Sequence, residues 1–168
     1  MQYISCLSSP LGPLLLRSDG KRVCELRPGG DFPRNQALFR QDLPVVPPLE
    51  HWLRLYSEGR DPGPVPVPLN PSGTPFQQQV FSLLRQIPYG QSVTYGDLAC
   101  ALSPGMSPQA VGNAVGKNPI AILIPCHRVL GAGRKLTGYA YGLDAKRLLL
   151  NLEHIPFRET SAFSLRGV

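Results

Sequence analysis

The chain has 168 residues, of which 42% are hydrophobic and 17% are charged, as in a globular protein of one or two domains. No apolar run approaches the roughly 20 residues that cross a bilayer, and the first residues lack the order of a signal peptide, so we expect a cytoplasmic protein without membrane contact. The net charge is +6, and residues 71–168 hold 9 Lys and Arg against 4 Asp and Glu. That excess is expected of a surface that binds a polyanion, although a merely basic surface would also produce it.

The first half of the chain is predicted to be a small α/β unit. The segments "YISCLSS", "LGPLLLRS" and "RVCELRP" are strand-like and separated by turn signals, which favours an antiparallel meander. Prolines begin a short helix, "PPLEHWLRLYSEG", and Gly59 ends it. The next segment, "DPGPVPVPLNPSG", is typical of an extended linker because proline fixes φ and has no N–H. We therefore predict one domain with its linker over residues 1–70 and a second domain over 71–168.

The second half is predicted to be more helical. The segment "TPFQQQVFSLL" begins with an N-cap and a first-turn proline and continues with apolar residues at helical spacing. The capping box "TYGD" begins a second helix that runs through Leu102, and "SP" begins a third that "NP" ends. Two short helices joined by a turn with glycine indicate a helix-turn-helix. The small residues of the third helix allow close approach either to DNA or to other helices of the protein.

The last third of the chain is predicted to complete a winged helix. The run "AILI" is expected to be a buried strand that leads to Cys126, and "VLGAGRKLTGYAYG" to be a hairpin or wing with glycines at its bends. Asp144 is expected to cap a final helix, "AKRLLLNLEH". The leucines Leu148, Leu149 and Leu152 are expected to pack inward from that helix.

Cys126 is the candidate reactive residue. A thiol attacks as thiolate, and apolar surroundings raise its pKa, so a catalytic cysteine after "ILIP" needs a base such as His127. Glu153, in the final helix, can orient that histidine if the helix folds back beneath the cysteine. A buried structural thiol and a metal ligand are the alternatives. The four cysteines form no C-x-x-C pair, so we expect reduced thiols and no metal site.

The segments "VTYGDLA", "NPIAILIPCHRV" and "LTGYAYG…KRLLLNLE" together resemble the O6-alkylguanine-DNA alkyltransferases, also called methylated-DNA–protein-cysteine methyltransferases. The similarity is dense from Thr74 to Glu153, and "PCHRV" is its most specific part. "SSPLGPLLL" is similar to the family's opening, whereas residues 28–70 match weakly. The resemblance implies an α/β fold of two domains, a ribonuclease-H-like amino-terminal domain and a winged helix-turn-helix carboxy-terminal domain.

The resemblance also implies a reaction, that of EC 2.1.1.63. Cys126 takes the alkyl group from O6 of guanine and keeps it, in one turnover and without a cofactor. His127 passes the thiol proton through a water to Glu153. Asn118 hydrogen-bonds across to the cysteine loop, and Tyr95 bonds the flipped base and donates towards its departing ring nitrogen.

Further residues are implied by the same resemblance. The main chain of Cys126 and Val129 is implied to bind the polar edge of the base. The base pocket is also implied to include Tyr139, Ala140 and Tyr141. The implied contacts to double-stranded DNA are Thr94, Ser107, Gln109, Ala110, Asn113, Lys117 and Arg128.

Two positions depart from the family's pattern. The family usually has an arginine where this chain has Gln109, and that arginine fills the gap left by the flipped base, so we expect less efficient flipping. Many members have glycine where this chain has Tyr141, so we expect a crowded pocket mouth that favours methyl over bulky adducts.

Three other functions stay open at this point. A non-catalytic sensor of alkylation damage would keep the helix-turn-helix but lack the cysteine. A winged-helix regulator would need a dimerisation helix, and a thiol hydrolase would need an oxyanion-hole loop. The favoured reading is a monomer that binds DNA containing O6-alkylguanine, with O4-alkylthymine as a possible second substrate.

Overall fold

The computed structural model describes residues 2–29 and 38–160; Met1, 30–37 and 161–168 lie outside the described residues, so the predicted domain ranges are described without them. Strands β1 (Tyr3–Ser9), β2 (Gly12–Ser18) and β3 (Val23–Pro28) form an antiparallel sheet in the order β1-β2-β3. Helix α1 (Val46–Ser57) packs against β1. The predicted meander and helix are confirmed, and the segment that follows has no regular helix or strand, as its prolines predict.

Four further helices follow the linker. They are α2 (Pro75–Leu84), α3 (Tyr95–Leu102), α4 (Pro108–Val115) and α5 (Leu143–Leu152). Thr74 and Thr94 form the two capping boxes that begin α2 and α3, and the Ser107 hydroxyl accepts from the main chain of α4, as the sequence predicts. The short strands β4 (Val93–Thr94) and β5 (Val129–Leu130) pair in parallel. Helices α3 and α4 pack against each other.

The prediction of a strand at "AILI" is wrong. Residues 121–124 are buried, but they form a tight turn in which Ile122 has a φ of 68°. A run of apolar residues predicts burial, and it does not distinguish a strand from a buried turn whose carbonyls are bound by a side chain. The predicted hairpin is also less regular than expected, because a single antiparallel bridge joins Gly131 to Lys135 around a short 3₁₀ segment, Ala132–Arg134.

The final helix begins differently from the prediction. Gly142 is its N-cap, and Asp144 lies in the first turn, where it binds Arg147 at 2.6 Å instead of capping the helix. Leu149 is buried as predicted, but Leu148 is 42% exposed. The inward face of α5 instead includes Leu150 and a fully buried lysine, Lys146.

The two halves of the chain share one core. A single cluster of buried apolar side chains runs from Leu7 in β1 to Leu149 in α5. The main chain of Leu26, in β3, exchanges hydrogen bonds with Pro119 at 2.9 Å and Ala121 at 2.7 Å. The sheet of the first half is therefore bonded directly to the segment that precedes Cys126. Within the described residues, none of the helices has the length and apolar character to cross a membrane.

Candidate active site

The turn that leads to Cys126 is held by Asn118. We call residues 120–126 the cysteine turn. The Asn118 amide nitrogen donates to the carbonyl of Ile124 at 2.8 Å and of Ile120 at 3.3 Å, and its oxygen accepts from the Ile120 N–H at 3.0 Å. The sequence interpretation placed this asparagine against the cysteine loop, and the structure brings the two together. A buried amide with three main-chain partners fixes a turn that has little regular backbone pairing of its own.

Cys126 opens onto a cavity between helices α3 and α4 and the loop before α5. Cys126 is only 6% exposed. It is the first residue of the 3₁₀ segment Cys126–Arg128. The cavity has a volume of about 230 Å³. It is lined by Tyr95, Gly112, Val115, Gly116, Asn118, Cys126, Gly138, Tyr139 and Ala140. The small residues of α4 thus form a wall of the cavity, because a side chain at Gly112 or Gly116 would occupy part of it.

The Cys126 thiol is neutral in its resting state. Burial raises its pKa above the usual value, and a hydrogen bond from Asn118 and the charge of Lys146 act in the opposite direction. A thiol that is buried and neutral needs a proton acceptor before it can attack as thiolate. The next residue in the same 3₁₀ segment, His127, is also buried.

His127 and Glu153 form a buried pair. Glu153 Oε1 lies 2.6 Å from His127 Nε2, and neither side chain is exposed. Burial would raise the pKa of Glu153, but hydrogen bonds and charge from His127 and Arg128 lower it to about 2. Burial lowers the pKa of His127, against the effect of Glu153. A neutral His127 therefore donates its Nε2–H to an ionised Glu153, which leaves Nδ1 as the acceptor.

That second ring nitrogen is available. His127 Nδ1 is buried and has no hydrogen-bond partner among residues 2–29 and 38–160. An imidazole whose Nε2–H is held by a carboxylate carries its lone pair on Nδ1. The arrangement matches a general base with an orienting group behind it, which the sequence interpretation assigned to His127 and Glu153.

Arg128 is turned into the protein, whereas the family resemblance implies a contact to DNA. Its side chain is 7% exposed, and its Nε donates to Glu153 Oε2 at 2.8 Å. Its Nη1 donates to the carbonyl of Ile87 at 2.6 Å. The 3₁₀ segment turns this side chain inward, and sequence position next to a reactive loop does not reveal that direction.

Two functional residues were missed by the sequence interpretation. Tyr56, in α1, donates its hydroxyl to Glu153 Oε1 at 2.7 Å and lies 3.3 Å from His127 Nε2. Lys146 donates to the carbonyls of Val129 and Thr137, both at 2.6 Å, and of Gly138 at 3.1 Å. No local sequence pattern identifies either residue, although a lysine on the leucine-rich face of α5 could have indicated a buried charge.

The aromatic residues of the predicted pocket differ in position. Tyr95 and Tyr139 line the cavity, and burial raises the pKa of both phenols, which therefore stay protonated. The Tyr139 hydroxyl is buried without a conventional hydrogen-bond partner in the described part of the chain. Tyr141 packs edge-on against Tyr139, with ring centroids 5.6 Å apart. Tyr141 is not among the residues that line the cavity and adjoins it through Tyr139, whereas the sequence interpretation placed it at the mouth.

Known proteins share this fold and sequence. A family model described as the DNA-binding domain of 6-O-methylguanine DNA methyltransferase matches residues 75–155. A methylated-DNA–protein-cysteine methyltransferase of Haemophilus influenzae is 43% identical over 161 residues, covering 92% of this chain and 88% of that protein. This chain belongs to the methylated-DNA–protein-cysteine methyltransferase family.

Solved structures agree with that assignment. The crystal structure of Mycobacterium tuberculosis O6-methylguanine methyltransferase has a TM-score of 0.78 at 39% identity, covering 91% of this chain and 93% of that one. A crystal structure of Mycobacterium tuberculosis OGT in complex with DNA has a TM-score of 0.78 at 40% identity, covering 90% and 92%. The methyltransferase family model spans the cavity, the cysteine turn and Glu153, whereas Tyr56 lies outside its range.

The remaining residues implied by the methyltransferase resemblance differ in exposure. Ser107 and Gln109 are exposed at the start of α4, Asn113 is exposed in its middle, and Lys117 follows its end. Ala110 and Thr94 are half-buried, and Thr94 is engaged in the cap of α3. Val129 is buried, and its carbonyl already accepts from Lys146.

Proposed function

We propose that Cys126 is the cysteine through which this chain carries out its family's reaction, the repair of DNA by transfer of an alkyl group to the protein. The observation that carries the proposal is a buried thiol that lines a cavity of about 230 Å³ and is followed in the chain by a buried histidine bound to Glu153. We propose O6-alkylguanine in double-stranded DNA as the substrate. Its reactive oxygen is hidden in the base stack, so the nucleotide must rotate out into the cavity.

The proposed step balances as a displacement at carbon. The Cys126 proton moves through a water to His127 Nδ1, and the thiolate attacks the alkyl carbon. The new S–C bond forms as the C–O6 bond breaks, and the electron pair passes into the guanine ring. The ring nitrogen takes the proton of the Tyr95 hydroxyl, and solvent water then returns a proton to Tyr95. Because the pKa of Glu153 is about 2, the accepted proton stays on His127, and Glu153 stabilises the imidazolium.

No cofactor enters this step, because the damaged base is itself the alkyl donor and the protein supplies position and an ionised sulfur. The thioether that forms is stable, so each molecule acts once. Exposed residues of α4, with Lys117 after it, would hold the DNA backbone.

We also propose the finer architecture that the resemblance implies. The three-stranded sheet with α1 would be the ribonuclease-H-like part of residues 1–70, and α3, α4 and the Gly131–Lys135 bridge the winged helix-turn-helix of residues 71–168. The cytoplasm is the proposed compartment, since a single-use thiol requires reducing surroundings. A monomer is proposed because one chain contains every group that the step needs.

Intact-mass measurement tests the assignment. We expect the protein to gain one methylene equivalent after incubation with an O6-methylguanine duplex, and the Cys126→Ser variant to gain none. Cys100→Ser, at an exposed cysteine, is the matched control and should react like the parent protein. Tight binding of the damaged duplex with unchanged mass would instead identify a damage sensor.

A further inference from the structure

Tyr56 joins the amino-terminal half of the protein to the proton-accepting pair. It lies in α1, outside the range that the family model matches, and its side chain is fully buried. Its hydroxyl donates to Glu153 Oε1 at 2.7 Å, and the same oxygen lies 2.6 Å from His127 Nε2. Among the described residues, Tyr56 is the one side chain that is within 3.3 Å of His127 Nε2 besides Glu153.

The position of Tyr56 is rigid. Its ring stacks on Trp52 with centroids 5.4 Å apart and meets the edge of Tyr89 at 6.1 Å. Burial, followed by the nearby Glu153 charge, raises the pKa of the phenol far above its usual range, so the hydroxyl is a permanent donor. These ring contacts hold the hydroxyl within hydrogen-bond distance of the carboxylate.

We propose that Tyr56 is a positioning residue for the general base, and that its hydroxyl shares Glu153 Oε1 with His127 to keep the imidazole neutral with a free Nδ1. The hydrogen bond from Tyr56 withdraws negative charge from the oxygen that faces His127. Less charge at Oε1 gives less stabilisation of an imidazolium, so His127 stays neutral at the pH at which it must accept a proton.

The charges around the pair are consistent with this role. Arg128 donates its Nε to Glu153 Oε2 at 2.8 Å and its Nη2 to Oε1 at 3.2 Å, and the Gly90 N–H donates to Oε2 at 3.2 Å. Arg128 and Gly90 therefore hold the carboxylate itself. Tyr56 differs from them because its oxygen also contacts the imidazole. The inference rests on the proposed alkyl transfer and adds a contribution of the first half of the chain to it.

The experiment compares Tyr56→Phe with Tyr89→Phe. The first substitution removes the hydroxyl and keeps the ring contacts with Trp52 and Tyr89. The second is the matched control, since the Tyr89 hydroxyl makes a long bond of 3.4 Å to the Leu152 carbonyl and none to the pair. Single-turnover alkyl transfer from an O6-methylguanine duplex is measured from about pH 5.5 to 9.5, together with duplex affinity and thermal stability.

We expect Tyr56→Phe to slow transfer by roughly 3- to 10-fold near neutral pH with unchanged duplex affinity, a fraction of what general-base catalysis contributes. On the acid side of the pH–rate profile, the fall in the transfer rate should begin at a higher pH in Tyr56→Phe, because His127 then protonates more readily. The difference in rate from the parent protein should shrink as the pH rises. Tyr89→Phe should keep the parent profile. A merely structural role would lower stability without changing the pH at which the rate falls.

Nitrogen-15 chemical shifts of the imidazole give a readout that does not need activity. We expect the parent protein to show a protonated Nε2 and an unprotonated Nδ1 at neutral pH, and Tyr56→Phe to raise the pH at which His127 takes a second proton. Equal rates, equal acid sides of the pH–rate profile and equal histidine titration in parent and Tyr56→Phe would overturn the inference. If the parent itself gained no alkyl mass, the proposed function would fail, and the nitrogen shifts would still decide the role of Tyr56.

Discussion

At the scale of single residues, the interior contains more charge than the sequence suggests. Glu153 is 2% exposed, Arg128 7% and Lys146 0%. Buried charges are costly unless they are paired. Glu153 and Arg128 form an ion pair, whereas the partners of Lys146 are carbonyl oxygens, with no salt bridge in the described part of the chain. Ionisation of Cys126 would therefore place the first negative charge near Lys146.

Lys146 should make stability depend on pH in an unusual direction. Burial lowers its pKa from 10.5 to about 8. Between those two values the unfolded chain binds a proton that the folded chain does not, so the contribution of Lys146 to the free energy of unfolding rises as the pH increases from about 8 to 10.5, by up to roughly 3 kcal/mol. Burial raises the pKa of Tyr56, Tyr95 and Tyr139, and these phenols lower the stability as the pH approaches about 10, so the net rise is expected between about pH 8 and 9. Denaturant unfolding should show this rise in a Cys126→Ser background, which removes the opposing titration of the thiol.

Lys146→Met in the same background is the control for that prediction. Methionine keeps much of the side-chain volume and cannot titrate, so the rise in stability above pH 8 should disappear. An equal rise in the background protein and in Lys146→Met would assign the pH dependence to another group.

The sequence reveals some of these residues and hides others for a physical reason. Cys126 and His127 are adjacent, so the local context already indicates a nucleophile and a base. Glu153 lies 26 positions from His127, so the sequence offered it only on the condition that the final helix folds back, and the family resemblance then supported it. The link of Tyr56 to Glu153 spans 97 positions. A contact of that range has no local pattern, and it exists because α1 and α5 pack on the same core.

At the scale of elements, cap chemistry was the most reliable signal. The capping box of α3 depends on Thr94 and Asp97 alone, so its residues are sufficient to predict it. The cysteine turn depends on Asn118, which binds the carbonyl of Ile124. A turn held by one side chain of another segment cannot be distinguished by its own apolar sequence from a buried strand, and this explains the failed prediction at "AILI".

The loop before α5 should restrict the size of the adduct. Tyr139 lines the cavity, and Tyr141 packs edge-on against it, so the Tyr139 ring has little room to move outward for a benzyl group. We predict slow inactivation by O6-benzylguanine and several-fold faster inactivation of Tyr141→Gly, measured as loss of methyl transfer against time. Tyr141→Phe keeps the ring and should stay slow. Rapid stoichiometric inactivation of the parent at low micromolar benzylguanine would contradict this account.

At the scale of the whole molecule, the two predicted domains share a core and main-chain hydrogen bonds. Leu26 in β3 binds Pro119 and Ala121, on the other side of the predicted boundary near residue 70. Cooperative unfolding is expected when much of the apolar surface of each part is buried against the other. The boundary itself remains a prediction from linker composition, and composition does not report how much surface the linked parts bury together.

One unfolding transition is therefore expected for the chain. Trp52 is the single tryptophan and lies in α1, so its fluorescence reports the first half. Four of the five helices of the described residues lie in the second half, so far-ultraviolet circular dichroism reports mainly that half. The two signals should change at the same denaturant concentration. Two separated midpoints would show that the halves unfold independently.

The burial of Cys126 also bears on how long a molecule stays useful. A protein whose nucleophile is consumed in one event is wasted by any stray electrophile that reaches the sulfur first. Cys100 is exposed, Cys6 and Cys24 are half-buried, and Cys126 is enclosed and held as the neutral thiol. Reactive metabolites and oxidants in the surrounding solution should therefore meet the three other cysteines before Cys126. Burial of the Cys126 thiol makes a neighbouring base necessary. The same burial protects the thiol from other electrophiles, so that it is still unreacted when a damaged base enters the cavity.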